Sequence, residues 1–163
     1  MEKFKLFWGG IYSQWKMAKI YDPKLSMVFN CNEQYMMYHK AIIFNDNDMA
    51  DAIMKSGNPR NQKAMGRKVK GFDVDVWEAQ APDIVERANY LKFTQNRNLL
   101  QEMMQDVSNG YTTFVEASPF DKIWGIGLGE EDPDCLDREK WLGRNWLGIA
   151  ITNVKDRLVE ELM

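Results

Sequence analysis

The segment from Glu33 to Phe44 constrains the fold more than any other part of the 163-residue chain. Its apolar residues fall on nearly every side of a helical wheel, a pattern typical of a helix enclosed by other elements. At about 100° per residue, Glu33 and Lys40 lie roughly 20° apart, on the apolar stripe that also holds Met37. A charge in a protein interior needs a partner or a function. This helix therefore marks either a structural ion pair or a functional site.

Length and composition favour one globular domain that covers residues 1–163. The chain is long enough to bury a substantial core, and 45% of its residues are hydrophobic. A formal net charge of −3, with both signs interspersed, argues against a general nucleic-acid binder. The first residues lack the apolar run of a signal peptide, and no window is long enough to span a bilayer. We therefore expect no membrane association and a cytoplasmic location.

Cysteine and histidine are too few for the common metal and nucleophile sites. Cys31 and Cys135 are far apart and have no CxxC context, which argues against a zinc site or a disulfide scaffold. His39 is the single histidine, and no nucleophile elbow accompanies it. We therefore expect no metal and no cofactor, and any chemistry must fall on carboxylates and lysines.

A second helix with functional potential is predicted from Arg60 to about Lys70. Asn58 is its predicted N-cap, and Pro59 is at the first helical position. Its cations recur at spacings of four and three, which predicts one cationic stripe of Lys63, Arg67 and Lys70. Such a stripe is either a solvated face or a site for a phosphate-bearing ligand. In the second case Gly66 would let the ligand approach the backbone.

The other predicted elements follow from periodicity and turn residues. Proline and capping signals divide the chain into short strands and amphipathic helices. The strands are predicted at residues 4–8, 26–29 and 112–115, and the helices at residues 49–57, 82–95, 99–107 and after Asn145. Asn32 is the predicted N-cap of the helix that begins at Glu33. Alternating glycines at Gly125, Gly127 and Gly129 have no helix after them, so they predict close backbone packing rather than a dinucleotide site.

Six motifs, in the same order and at similar separations, make the chain resemble the NADAR (YbiA-like) family, and together they span nearly its whole length. The motifs are Ser13-Gln14-Trp15, the helix from Glu33 to Ala41, Lys63 with Gly66-Arg67, Lys92-Phe93 with Gln95-Asn96, Glu116 to Gly127, and Trp141 to Gly148. The acidic residues 130–134 depart from the usual pattern of this family. We expect this difference to affect the rim of a site rather than its centre.

The resemblance implies a predominantly helical α+β fold, a single compact domain with a few short strands. It also implies a metal-independent N-glycosidase that cleaves a ribose C1′–N bond. The implied substrates are the phosphorylated ribosylaminopyrimidines of riboflavin synthesis, or ADP-ribose attached to guanine. The implied catalytic residues are Glu33, Lys40, Trp77 and Asp121. The implied substrate-binding residues are Lys63, Arg67, Lys92 and Trp124.

The chemistry of such a bond leaves several alternatives open. Loss of the base leaves positive charge on the ribose, which a carboxylate can stabilise while it activates water. In this direct hydrolysis Lys40 can hold Glu33 ionised; alternatively, Lys40 can attack C1′ itself to form a Schiff base. A non-catalytic module that binds ADP-ribose or a nucleotide, and a purely structural helical domain, are the competing interpretations. Oligomeric state is not predicted. If the chain is an enzyme, Glu33, Lys40 and Asp121 should share one cavity with Trp77 in its wall.

Overall fold

The computed structural model describes all residues from Met1 to Met163. It contains six α-helices and four short strands, so the predicted, predominantly helical α+β class is confirmed. Contacts along the chain divide it into two compact units, Gln14–Asn96 and the pair of segments Met1–Ser13 with Arg97–Met163. That these units form one domain stays a prediction. None of the helices is both long and apolar enough to cross a membrane.

The unit Gln14–Asn96 is built around the helix predicted from the charged apolar stripe. Its elements are β2 (Ile20–Asp22), β3 (Met27–Phe29), α1 (Asn32–Ile43), α2 (Asn47–Lys55), α3 (Pro59–Gly66) and α4 (Val74–Gln95). Strands β2 and β3 pair antiparallel, and α1 packs against α2, α3 and α4. The α1 residues from Asn32 to Met37 are all buried, as the sequence predicts, whereas Ile42 near its end is 40% exposed. The apolar core of this unit contains Ile20, Phe29, Tyr35, Ala88 and Leu91.

The other unit is organised by a strand pair that is distant in sequence. Its elements are β1 (Phe4–Phe7), α5 (Arg97–Ser108), β4 (Thr113–Glu116) and α6 (Trp146–Leu162), with 3₁₀ turns at Gly10–Tyr12, Pro133–Leu136 and Arg138–Lys140. Strands β1 and β4 pair in parallel, with Phe4 opposite Thr113 and Phe7 opposite Glu116. Helix α6 packs against β4, and Val115, Ile126 and Cys135 form a small buried cluster.

Three predicted boundaries in the unit Gln14–Asn96 are wrong for local physical reasons. Helix α4 begins at Val74 rather than at Pro82, because the Asp73 side chain accepts hydrogen bonds from the backbone N–H groups of Asp75 and Val76. Pro82 lies inside this helix. Helix α1 is capped by the Cys31 sulfur, which accepts from the Gln34 N–H at 3.5 Å, rather than by Asn32.

The third wrong boundary shortens the predicted cationic helix. Helix α3 ends at Gly66, and Arg67 is its C-cap residue. Lys70 therefore lies beyond the helix, where its backbone N–H donates to Asp46 at 3.0 Å. The predicted stripe of three cations on one helical face does not form, although Lys63 and Arg67 are both exposed.

Candidate functional site

Glu33 lies in the first turn of α1 and is only 4% exposed. Its backbone N–H donates to the carbonyl of Gln14 at 3.0 Å, which ties the segment before β2 to the start of this helix. A carboxylate in a first helical turn is stabilised by the unsatisfied N–H groups and the helix dipole. The fold thus provides an electrostatic reason for a buried carboxylate at this position.

Lys40, in the last turn of α1, is half-buried among aromatic rings. Its Nζ lies 4.5 Å from the ring centroid of Phe72 and 5.9 Å from that of Trp77. Burial lowers the pKa of Lys40, the charge of Arg67 lowers it further, and the charge of Glu33 opposes both effects. Phe72 is a neighbour of Lys40 that the sequence analysis missed. That Glu33, Lys40 and Trp77 form one reaction centre stays a prediction.

Lys63, an exposed cation of α3, lies close to an aromatic side chain. The Nζ of Lys63 is 5.9 Å from the ring centroid of Trp15, whose side chain is 42% exposed. The prediction that the neighbouring Gly66 lets a ligand approach the backbone is not supported. A Cβ atom at this position would stand 1.9 Å from the sulfur of Met37, so the absent side chain makes room for α1.

Lys92 is completely buried on α4, in contrast to the two exposed cations. Burial lowers its pKa to about 7, the charge of Lys16 acts in the same direction, and Cys31 opposes them. Burial in turn raises the pKa of the Cys31 thiol to about 11. Phosphate could reach Lys92 only after the surrounding side chains move, so its phosphate-binding role stays a prediction without support from its exposure.

The sequence analysis did not identify a hydrogen-bonded pair of asparagines, Asn32 and Asn89, beside Glu33. Asn89 donates through Nδ2 to the carbonyl of Val85 at 2.9 Å, which directs its Oδ1 to the Nδ2 of Asn32, also at 2.9 Å. This chain of donors fixes the orientation of both amides. It leaves the buried Oδ1 of Asn32 without a hydrogen-bond partner. The spacing of isolated asparagines gives no sequence signal for such a pair.

Asp121 lies in the other unit, in the glycine-rich segment that follows β4. Its Oδ1 accepts hydrogen bonds from the N–H groups of Ile123 at 2.9 Å and Trp124 at 2.8 Å. Both bonds use the same oxygen, so the carboxylate is oriented while Oδ2 stays available to a ligand. Asp121 itself is half-buried, and Trp124 packs edge-on against Trp146 with 5.6 Å between ring centroids.

Of the three alternating glycines, Gly125 serves close backbone packing as predicted, whereas a Cβ at Gly127 or Gly129 would first meet side-chain atoms. A Cβ at Gly125 would stand 2.9 Å from the carbonyl oxygen of Asp121, and Gly127 has a φ of +73°. The backbone of Asn145 donates to the carbonyl of Gly125, and that of Leu142 to the carbonyl of Ile126. The segment that presents Asp121 is therefore fixed by backbone hydrogen bonds rather than left as an open loop.

The shared cavity predicted for Glu33, Lys40, Trp77 and Asp121 stays a prediction, because Asp121 lies in the other compact unit. A groove of about 430 Å³ is present in the unit Gln14–Asn96, but none of the predicted site residues lines it. No group of three or more histidine, cysteine, aspartate or glutamate side chains could hold a metal ion.

Comparison with known proteins identifies the class of domain. The NADAR domain matches residues 6–159, and the chain belongs to this family. It is 40% identical over 132 residues to the protein irg-1 of Caenorhabditis elegans, a match that covers 80% of this chain and 61% of that protein. The chain thus spans less than two thirds of the length of the worm protein.

A viral relative supports this assignment, and a solved structure has the same fold. The chain is 40% identical over 149 residues to a protein of Acanthamoeba polyphaga mimivirus named as an N-glycosidase, covering 90% of this chain and 86% of that one. The NMR structure of the Escherichia coli protein YbiA matches 99% of this chain and 89% of its own, with a TM-score of 0.77 and 20% identity. At that identity the likeness to YbiA shows the fold alone.

Proposed function

We propose that this protein is a metal-independent N-glycosidase that hydrolyses the ribose C1′–N bond of a phosphorylated, nucleoside-like substrate. The observation that carries the proposal is the presence, on one helix, of a buried carboxylate, Glu33, and a half-buried lysine among aromatic rings, Lys40. The name of the mimivirus relative supports the class of reaction. The substrate would be a ribosylaminopyrimidine phosphate or ADP-ribose attached to guanine.

In the direct route, the C1′–N bond breaks and its electron pair leaves with the base nitrogen, which takes up a proton. The positive charge that develops on the ribose ring is stabilised by the Glu33 carboxylate. The same carboxylate accepts a proton from water as the water oxygen bonds to C1′. Lys40 would then act as a cation that keeps Glu33 ionised.

In the alternative route, the neutral amine of Lys40 is the nucleophile. Its nitrogen bonds to C1′ as the base departs with the C–N electron pair. The amine gives up its two protons, one to the base nitrogen and one to the ring oxygen as the sugar opens to an imine. Water then hydrolyses the imine and restores the amine. The lowered pKa of Lys40 increases the fraction of neutral amine that this route needs.

Recognition of phosphate is assigned to the exposed Lys63 and Arg67, with Lys92 as a buried candidate. Arg67 also lies close enough to Lys40 to affect its pKa, so it connects the phosphate contact to the reacting centre. Arginine matches the geometry of a phosphate through paired N–H donors. Trp77 and Trp124 are the aromatic side chains proposed to contact the substrate.

A binding module that holds ADP-ribose without cleaving it is the second candidate, because the aromatic and cationic groups would serve binding equally well. The two are separated by release of free base. The purified protein is incubated with each substrate, and the products are followed by mass spectrometry. Free base in proportion to enzyme turnover supports the glycosidase, whereas tight binding without base release supports the module.

Arg67→Ala tests the phosphate contact, and Lys68→Ala is a matched control that removes an adjacent exposed charge. A hydrogen bond to phosphate is worth roughly 1.5–3 kcal/mol, so Arg67→Ala should lower kcat/KM by about 10- to 150-fold. The loss should shrink on a dephosphorylated substrate, and Lys68→Ala should stay near the parent value. Equal losses on both forms would assign Arg67 to stability or chemistry instead.

A further inference from the structure

Phe72, a residue that no sequence motif singles out, lies beside the amine of Lys40. The distance from Nζ to the ring centroid is 4.5 Å for Phe72 and 5.9 Å for Trp77. Both distances lie within the range in which an aromatic ring attracts a cation. Trp77 is only 8% exposed, whereas Phe72 is 44% exposed. Of the two rings, Phe72 is therefore the one at the boundary between the amine and the solvent.

The ring of Phe72 is held in place although it lies outside the helices, in the connection between α3 and α4. It packs edge-on against Phe44, with 5.4 Å between the ring centroids. The backbone N–H of Lys70 donates to the carboxylate of Asp46 at 3.0 Å, which ties the connection to the start of α2. Gly71, with a φ of +75°, turns the chain directly before Phe72. Packing and backbone geometry thus determine the place of the ring.

A ring in this position acts on the amine in two opposite ways. As an apolar cover it keeps water away, which favours the neutral amine. Its negative face attracts the ammonium group, which favours the charged form. The charged groups that act on Lys40 are Glu33 of the same helix and Arg67 at the end of α3, but burial is the largest influence and lowers its pKa. We therefore expect the cover to outweigh the attraction.

We propose that Phe72 is a positioning residue that holds the amine of Lys40 and screens it from water. The inference rests on the proposed function for the task of that amine, as the nucleophile or as the cation beside Glu33. Phe72 acts through Lys40 and needs no contact with the substrate. In either route it sets the fraction of Lys40 that is protonated at a given pH, and with it the pH range of the reaction.

Competitive labelling of the folded, full chain with acetic anhydride tests this role, because only the neutral amine reacts. The acetylated fraction of Lys40 is measured by mass spectrometry after a brief exposure at a series of pH values. The midpoint of the curve reports the pKa of Lys40, whereas access of the reagent changes only the plateau. The exposed Lys55 in the same digest is the internal reference and should label identically in every variant.

Two substitutions of Phe72 should move this midpoint in opposite directions. Phe72→Ala removes the cover together with the ring, so the midpoint should move to higher pH. Phe72→Leu keeps an apolar cover but has no aromatic face, so the midpoint should move to lower pH. Below the midpoint, Phe72→Leu should raise the neutral fraction of Lys40 by about 2- to 5-fold, the size of a cation–π attraction at a partly exposed site. Phe72→Tyr keeps both effects and should keep the parent midpoint.

Tyr21→Ala is the matched control, because Tyr21 is an aromatic residue of the same unit, lies on β2 and is also 44% exposed. It should leave the midpoint unchanged. A ring that only fills space would give the parent midpoint in Phe72→Ala and Phe72→Leu, and that result overturns the inference. The inference is also overturned if both substitutions move the midpoint in the same direction, or if Tyr21→Ala moves it as far as they do.

Base release by the same proteins separates this inference from the proposed function. If the midpoints shift as expected and no protein releases base from either substrate, the role of Phe72 stands and the glycosidase fails. If the parent protein releases base and the midpoint does not depend on Phe72, the glycosidase stands and the role of Phe72 fails.

Discussion

At the scale of single residues, the protonation of Lys40 separates the two reaction routes. Burial lowers its pKa, so the neutral amine is populated at lower pH than for an exposed lysine. If Lys40 is the nucleophile, the single-turnover rate should rise with pH through this lowered pKa and then level. If Lys40 acts as a cation beside Glu33, the rate should instead fall through the same pKa.

Lys40→Arg is an independent test of the Schiff-base route, because arginine keeps the positive charge and cannot form the imine. Reduction with borohydride during turnover should trap a covalent adduct in the parent protein and none in this variant, if the Schiff-base route operates. Turnover by Lys40→Arg close to the parent rate would exclude that route.

The role of Asp121 can be tested without disturbing the turn around it. Asp121→Asn retains Oδ1, which accepts the two backbone hydrogen bonds, and replaces only the open oxygen with an amide. A catalytic carboxylate should lose about 100-fold or more in turnover on this change, with an unaltered melting temperature. Asp51→Asn, on the exposed surface of α2, is the control. Unchanged turnover would reduce Asp121 to a structural residue.

At the scale of secondary-structure elements, Asp22 joins β2 to the two longest helices of its unit. Its carboxylate accepts hydrogen bonds from Arg87 of α4, at 2.7 and 3.1 Å, and from the hydroxyl of Tyr35 of α1 at 2.5 Å. Burial raises the pKa of Asp22, but these bonds and the charge of Arg87 outweigh burial and lower it well below its usual range. The folded state is therefore stabilised by the ionised form.

Asp22→Asn should accordingly lower the free energy of unfolding by on the order of 2–4 kcal/mol near neutral pH. The contribution of a carboxylate with a lowered pKa is complete above its unfolded value and is lost as pH falls through the folded one. The difference between parent and variant should thus shrink in acid. Urea unfolding at several pH values measures it, and a difference that stays constant into strong acid would contradict this account.

Close contact between α1 and α3 depends on Gly66. Because a Cβ there would meet the sulfur of Met37, Gly66→Ala should destabilise the protein by about 1–3 kcal/mol. Gly57→Ala is the matched control, since a Cβ at Gly57 meets nothing within 4 Å. The double variant with Met37→Ala should lose less than the sum of the single losses. Additive losses would show that the two residues do not interact.

The sequence could predict elements with strong local signals and missed those set by competing signals. Asn58-Pro59 and the buried face of α1 were predicted because capping and periodicity act within a few residues. The start of α4 was missed because proline is over-represented at the first helical position, which favoured a start at Pro82. The true N-cap, Asp73, is not followed by a proline that would mark it. Strand β2 was missed because its three residues end at the Asp22-Pro23 turn.

At the scale of the whole molecule, the candidate site depends on contacts that sequence spacing does not encode. Glu33 and Lys40 were predictable as neighbours because one helix carries both. The approach of Phe72 to Lys40, and of Trp15 to Lys63, requires the packing of separate elements, and nothing in their spacing predicts it. The burial of Lys92 could not be predicted either, because the same sequence pattern, a lysine among apolar residues on a helix, is equally compatible with an exposed cation.

The central claim is that Glu33 promotes cleavage of the ribose C1′–N bond without a metal. The most direct measurement is release of free base by the parent protein and by Glu33→Gln, which keeps the shape of the side chain, both assayed with a strong chelator present. We predict full base release by the parent and a loss of at least about 100-fold in the variant, with folding intact. Equal base release by the two proteins, or activity of the parent that the chelator removes and added metal restores, would contradict the account.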